Sequence, residues 1–171
     1  MGFDKALAEI DGRAMAALVA ETAAKVCEMV SLVGDPATYG ALGLPVIPDN
    51  FPGCGPLAGM EAALGATTAE WNLIVACDMP ALDAVLLERL FAGSADCAIP
   101  QYEDGMLEPL CAVYHRRCHS VIRAALEGGV RKVTHGLQGL EVRYVRVEQR
   151  DLFANLNTTR DLANYQRKQN G

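Results

Sequence analysis

Positive charge is scarce in this chain. Fifteen Lys and Arg stand against 21 Asp and Glu, leaving a net charge of −6. A broad nucleic-acid surface needs clustered cations, so that class of partner is excluded, although a phosphate site built from two or three cations is not. Long apolar runs are missing too. No stretch approaches the roughly 20 residues that a membrane span requires, and no signal peptide is expected ahead of the fold. Aromatic residues make up 6% of the chain while hydrophobic residues make up 51%, a composition that suits an aliphatic core of buried parallel strands. The six cysteines include no Cys-x-x-Cys pair. They read as reduced, buried thiols of a cytoplasmic protein. A zinc site wants closely spaced ligands, and Cys111 with His115, or Cys118 with His119, is too little. His115 and His119 are spaced as i, i+4 on an expected helix, but no metal-binding pattern accompanies them. No histidine is placed for a Ser- or Cys-based triad.

With 171 residues the chain is the size of one domain, and such a chain buries roughly 70% of its unfolded surface without needing staples. Asp11-Gly12 is a hairpin turn signal. Apolar spacing predicts helices over 15–26, 56–66, 82–91, 115–126, 130–136 and 161–167, with a short helical turn over 38–42. Strands are predicted over 26–33, 44–47, 71–77, 96–99, 108–114 and 142–147. This alternation implies α/β architecture: three layers, a mostly parallel sheet with helices on both faces.

Three features carry chemistry. The apolar run Leu73-Ile74-Val75-Ala76 closes on Cys77-Asp78-Met79-Pro80. Ligands of open α/β sheets bind beyond the carboxyl ends of strands. Asp78 there suits a hard divalent cation that shares its shell with phosphates and water, or it caps the following helix. The segment from Asp49 through Pro52-Gly53-Cys54-Gly55-Pro56-Leu57-Ala58-Gly59 is a glycine-rich turn opening a helix. Its backbone can approach a ligand closely and offer N–H groups, or it is a plain connection; it matches neither a Walker loop nor the dinucleotide fingerprint. Asp49 fixes a base or ribose, or holds its own turn. In Asn155-Leu156-Asn157-Thr158 two asparagines flank a leucine. If the segment is extended they point to one side; otherwise Asn157 or Thr158 caps the last helix. Lys5 suits a phosphate as a point charge, or is an ordinary surface lysine. Arg116, Arg117, Arg123, Arg131 and Lys132 read as a solvated face or as a seat for an anionic cofactor.

Taken together these segments resemble the molybdenum cofactor guanylyltransferases of the MobA type. Met1-Gly2-x-Asp4-Lys5 is similar to the tail of that family's nucleotide-binding signature. Asp49…Pro52-Gly53-x-Gly55-Pro56-Leu57-Ala58-Gly59 is similar to its guanine loop, and Cys77-Asp78-Met79-Pro80 to its metal motif. Glu108-Pro109-Leu110-Cys111-Ala112-Val113-Tyr114 resembles the segment near the pterin. Phe153-x-Asn155-Leu156-Asn157-Thr158 with Asp161-Leu162 resembles its C-terminal motif. The order and spacing extend over essentially the whole chain.

The resemblance implies a Rossmann-like nucleotidyltransferase that moves GMP from GTP to molybdopterin and releases pyrophosphate. It implies Mg²⁺ on Asp78, charge neutralisation by Lys5, and guanine and ribose contacts from Asp49, Pro52, Gly53, Gly55, Pro56, Leu57 and Gly59. Asn155 and Asn157 would approach the pterin phosphate. Molybdoenzymes and other cofactor-biosynthesis proteins are the implied partners. The family starts with a strand and a loop of the form Gly-Gly-x-Ser-x-Arg-Met-Gly-x-Asp-Lys, so the single domain over 1–171 is expected to lack that first strand and phosphate loop. Alternative readings are a cytidylyl- or sugar-phosphate nucleotidyltransferase of the same fold, or an inactive homologue that binds cofactor during enzyme maturation.

Overall fold

The computed structural model describes residues 4–156, 161 and 165–167. A hairpin of β1 (Glu9–Ile10) and β2 (Arg13–Ala14) leads into α1 (Met15–Ala23). Its turn is Asp11-Gly12, and both residues have positive φ (50° and 76°), as a two-residue hairpin demands. Next come β3 (Leu32–Val33), the short α2 (Pro36–Tyr39), β4 (Val46–Ile47) and α3 (Pro56–Ala66). The second half holds β5 (Trp71–Val75), α4 (Ala84–Leu90), β6 (Cys97–Gln101), β7 (Cys111–His115), α5 (Cys118–Glu127), α6 (Val133–Gly136) and β8 (Val142–Arg146).

The main sheet has the order β5-β7-β6-β8, and β3 and β4 form a separate parallel pair. β7 runs antiparallel to both β5 and β6, whereas β6 and β8 are parallel. Three of the four strands therefore point one way and β7 points the other. The α/β class holds, but the pairing around β7 differs from a mostly parallel sheet. The reason is local. Residues 102–110, between β6 and β7, contain no helix, only a turn at Gly105 (φ 82°), an isolated bridge from Leu107 to Gln101 and a second turn at 109–110. A connection that short cannot make the crossover a parallel pair needs.

Period-two alternation builds the layers. Cys97, Ile99, Ala112 and Tyr114 face one side of the sheet and pack with α3, α5 and α6. Ala98, Cys111 and Val113 face the other and pack with Leu86, Leu87 and Leu90 of α4 and with Phe153. β6 and β7 are buried over their first four residues, as central strands covered on both faces should be. In α5, Cys118, Ile122 and Leu126 recur every four residues and are all buried, forming one apolar stripe.

Element edges moved where the chain had competing demands. Residues 26–31 carry no strand, so the strand predicted over 26–33 shrinks to Leu32–Val33. His115 ends β7 and His119 lies in α5, so they do not share a helix face as predicted. The six cysteines are free thiols. Among the described residues no helix is long and apolar enough to cross a membrane. The predicted helix over 161–167 lies mostly outside the described residues.

β5 is an edge strand: among the described strands only β7 pairs with it. Its free side and β3 both line a groove of about 520 Å³. This groove places the site.

Candidate functional site

Asp78 sits just past β5, at the mouth of the groove. Its side chain is 18% exposed, and its Oδ2 lies 3.5 Å from the Lys5 Nζ. The capping alternative is answered by the structure. The N-cap of α4 is Asp83, whose Oδ1 accepts from the Leu86 N–H at 2.7 Å. Asp78 therefore has no capping duty, and its carboxylate opens toward the groove.

Lys5 is presented by a single 3₁₀ turn over Lys5–Leu7. Asp4 caps that turn: its Oδ1 accepts from the Ala6 N–H at 3.0 Å. The other oxygen of Asp4 accepts from the Tyr39 hydroxyl at 2.6 Å. That bond to Asp4, together with burial, pushes the Tyr39 phenol up to about 12, so it stays a neutral donor at neutral pH. The ring of Tyr39 lies against Gly34 (φ 155°), where a Cβ would overlap it. Gly34, Tyr39 and Asp4 thus brace the lysine. Tyr39 also lines the groove beside Asp78, and nothing in its local sequence singled it out.

The C-terminal segment adjoins Asp78 at the groove. Asn155 lines it, and the Leu156 N–H donates to the Asp78 carbonyl at 3.0 Å. Glu108 to Leu110 line it too. Burial raises the Glu108 carboxyl against a hydrogen bond from Tyr102. Asn157 lies outside the described residues, as do Met1 and Gly2.

The glycine turn adjoins this groove at the start of α3. Pro56 and Gly59 line the groove, whereas Asp49, Pro52, Gly53 and Gly55 stand beyond it. Gly53 and Gly55 both have φ 77°, and a Cβ on either would meet nothing within 4 Å. Their glycines therefore serve the backbone conformation and leave open space above it. Asp49 does hold its own turn, since Oδ1 accepts from the Phe51 N–H at 2.8 Å. Leu57 is the exception among the expected contacts. It is fully buried and packs against Gly136. Its side chain belongs to the core, and only its backbone faces the turn.

The donor set bears on which metal fits. Among the described residues no three His, Cys, Asp or Glu side chains cluster as metal ligands. The groove is lined by the carboxylates of Asp78 and Glu108, the latter accepting from the Tyr102 hydroxyl, and Asp78 suits magnesium, which is held through one or two carboxylates plus substrate phosphates and water. It does not suit zinc, which wants a closed set of N and S ligands. The nearest thiol, Cys77, is pushed up to about 11 by burial and the Asp78 charge and stays protonated.

A layered α/β sheet with a carboxylate and a lysine at a strand end, beside a glycine turn at a helix start, is an arrangement that can seat a phosphorylated ligand. The comparisons with known proteins narrow this. The MobA-like NTP transferase domain matches residues 1–143, and the chain belongs to that family. A molybdenum cofactor guanylyltransferase of Desulfosudis oleivorans is 34% identical, with 94% of this chain and 85% of that protein covered. One from Bradyrhizobium sp. (strain ORS 278) is 36% identical, covering 97% and 85%. The crystal structure of molybdopterin-guanine dinucleotide biosynthesis protein A from Archaeoglobus fulgidus superposes with a TM-score of 0.84 at 26% identity, covering 99% of this chain and 92% of that one. A 2-C-methyl-D-erythritol 4-phosphate cytidylyltransferase from Thermus thermophilus shares the fold, with a TM-score of 0.77 at 16% identity, covering 98% and 94%.

Proposed function

We propose that this nucleotidyltransferase moves GMP from GTP to the terminal phosphate of molybdopterin. An oxygen of that phosphate attacks the α-phosphorus of GTP, the bond from the α-phosphorus to its bridging oxygen breaks, and pyrophosphate leaves with that oxygen. The attacking oxygen is already ionised at neutral pH. No general base is required, which suits a site without a histidine dyad. Nucleotidyl transfer instead needs aligned reactants and positive charge where negative charge grows.

The observation that carries this reading is Asp78 just past β5, paired with Lys5 and lining one groove with Asn155 next to the glycine turn. Asp78 is the residue that would hold Mg²⁺, and bound magnesium would neutralise charge on the triphosphate. Lys5 adds a cation there, held on its turn by Asp4 and Tyr39. The turn from Asp49 to Gly59 receives the guanosine, with backbone N–H groups as the donors. Asn155, which lines the groove with Asp78, is the residue that would approach the pterin phosphate, and Asn157 would share that role. Six free thiols and the family's substrates agree with a cytoplasmic setting, in which molybdoenzymes and other cofactor-biosynthesis proteins take up the product.

The test is pyrophosphate release from GTP, and separately from CTP, with molybdopterin and Mg²⁺. GTP as the favoured substrate supports the reading. A preference for CTP moves the protein to the cytidylyl reaction, and failure with both points to a binding module.

A further inference from the structure

α3 carries one charged residue, Glu61, and it is fully buried. A buried carboxylate must be paired and hydrogen-bonded, and here three side chains converge on it. Asn50 Nδ2 donates to Oε2 at 3.0 Å. His119 Nε2 lies 3.0 Å from Oε1, and Arg123 Nη1 donates to Oε1 at 3.2 Å. Burial raises this carboxyl, but the bonds from Asn50 and His119 and the charges of His119 and Arg123 outweigh it and hold the group below its usual value. The approach of His119 depends on Gly65, where a Cβ would stand 2.9 Å from the ring nitrogen.

The partners come from two different parts of the fold. His119 and Arg123 belong to α5, one turn apart. Asn50 belongs to the glycine turn, directly after Asp49. Its neighbour Phe51 meets the same arginine, whose guanidinium carbon lies 5.9 Å from the ring centroid. The turn is therefore tied to α5 at two successive residues, once through Glu61 and once by a cation–π contact. Within the turn the Phe51 N–H donates to Asp49 Oδ1, the Cys54 N–H donates to the Phe51 carbonyl and Cys54 packs on the core, while Pro52, Gly53 and Gly55 are exposed.

We propose that Glu61, with Arg123 and His119, is a positioning network that holds the Asp49–Gly55 turn on α5 in the form that receives the nucleotide. This rests on the reading of that turn as the guanosine site. None of the three network residues lines the groove, so they act through Asn50 and Phe51. The network sets nucleotide affinity and leaves the chemical step alone.

The test compares wild type with Asn50→Ala, Arg123→Met and Glu61→Gln. Asn50 is exposed, so its truncation leaves the core intact even where a change at Glu61 weakens folding. Backbone amide exchange across residues 50–55 is measured first, without nucleotide. About tenfold faster exchange in Asn50→Ala supports the network, and unchanged exchange overturns it. Titration with GTP and Mg²⁺ follows. Losing one link to a charged group weakens binding by about three- to tenfold. The expected result is that rise in Kd for Asn50→Ala and Arg123→Met, with kcat at saturating GTP within about twofold of wild type for Arg123→Met. Glu61→Gln keeps an acceptor for Asn50 and should fall between wild type and Asn50→Ala. Equal GTP affinity in wild type and Asn50→Ala overturns the proposal. A wild type that binds no GTP refutes the reading of the turn instead, and the exchange data still decide whether the network holds it.

Discussion

Replacing Asp78 with alanine should remove activity without removing the fold. The structure separates the two costs. The lost stabilising contact is the pair with Lys5 at 3.5 Å, whose side chains are 31% and 18% exposed. Part-exposed pairs contribute about 1 kcal/mol or less. For a chain of this length, 1 kcal/mol is about 2–4 °C in Tm. No helix cap is lost, because Asp83 serves α4, and the Leu156 N–H bond to the Asp78 carbonyl survives the substitution. Catalysis is different. Losing one group that stabilises transition-state charge costs about 10²–10³ in kcat, or about 3–4 kcal/mol. The assay pairs thermal melting with pyrophosphate release from GTP and molybdopterin at saturating Mg²⁺. Turnover down at least a hundredfold, with Tm within a few degrees of wild type, is the expected result. Turnover within tenfold of wild type would refute the reasoning. So would a large fall in Tm that accounts for the lost activity.

Other outcomes follow from the same geometry. Leu57→Ala should cost about 2–5 kcal/mol of stability, because Leu57 is fully buried. GTP affinity of the folded fraction should stay unchanged, and a binding titration alongside urea melts checks both. Glu61 is held below the ordinary glutamate value, so its contribution to stability is complete above that value. It is lost as pH falls through the lower, folded-state value. Glu61→Gln should flatten the acid limb of a stability–pH curve below about pH 4.5. Burial pushes the Cys97 and Cys111 thiols up to about 12 and Cys118 up to about 11. Iodoacetamide at neutral pH should leave these three unmodified in the native protein by mass spectrometry, and urea should expose them.

The sequence revealed some parts of this architecture better than others, for physical reasons. α3 over Pro56–Ala66 was readable to the residue, because a proline at its first position and a glycine turn before it mark the start locally. The two-residue strands β3 and β4 were not, because strands that short carry no period. The reversal of β7 was foreshadowed by the helix-free stretch of 102–110. It was masked by the apolar runs of β6 and β7, which look alike in either direction. In the site, Asp78 announced itself by ending a buried strand. The burial of the Leu57 side chain is not legible in the glycine-rich segment, because its helical part turns into the core. Tyr39 and the Glu61 network depend on contacts between residues distant in sequence. The single charge in an otherwise apolar helix is the signal available for Glu61, and nothing in its spacing sets Arg123 apart from the neighbouring cations.

The account rests on Asp78 as the residue that would hold a divalent cation beside the nucleotide phosphates. A crystal of the protein with a non-hydrolysable GTP analogue and Mn²⁺ in place of Mg²⁺ tests this directly, because manganese can be located by anomalous scattering. The account predicts an anomalous peak about 2.1 Å from an Asp78 carboxylate oxygen and in contact with the α-phosphate. A metal bound to the triphosphate but away from Asp78, or a nucleotide seated away from the Asp49–Gly59 turn, would contradict it.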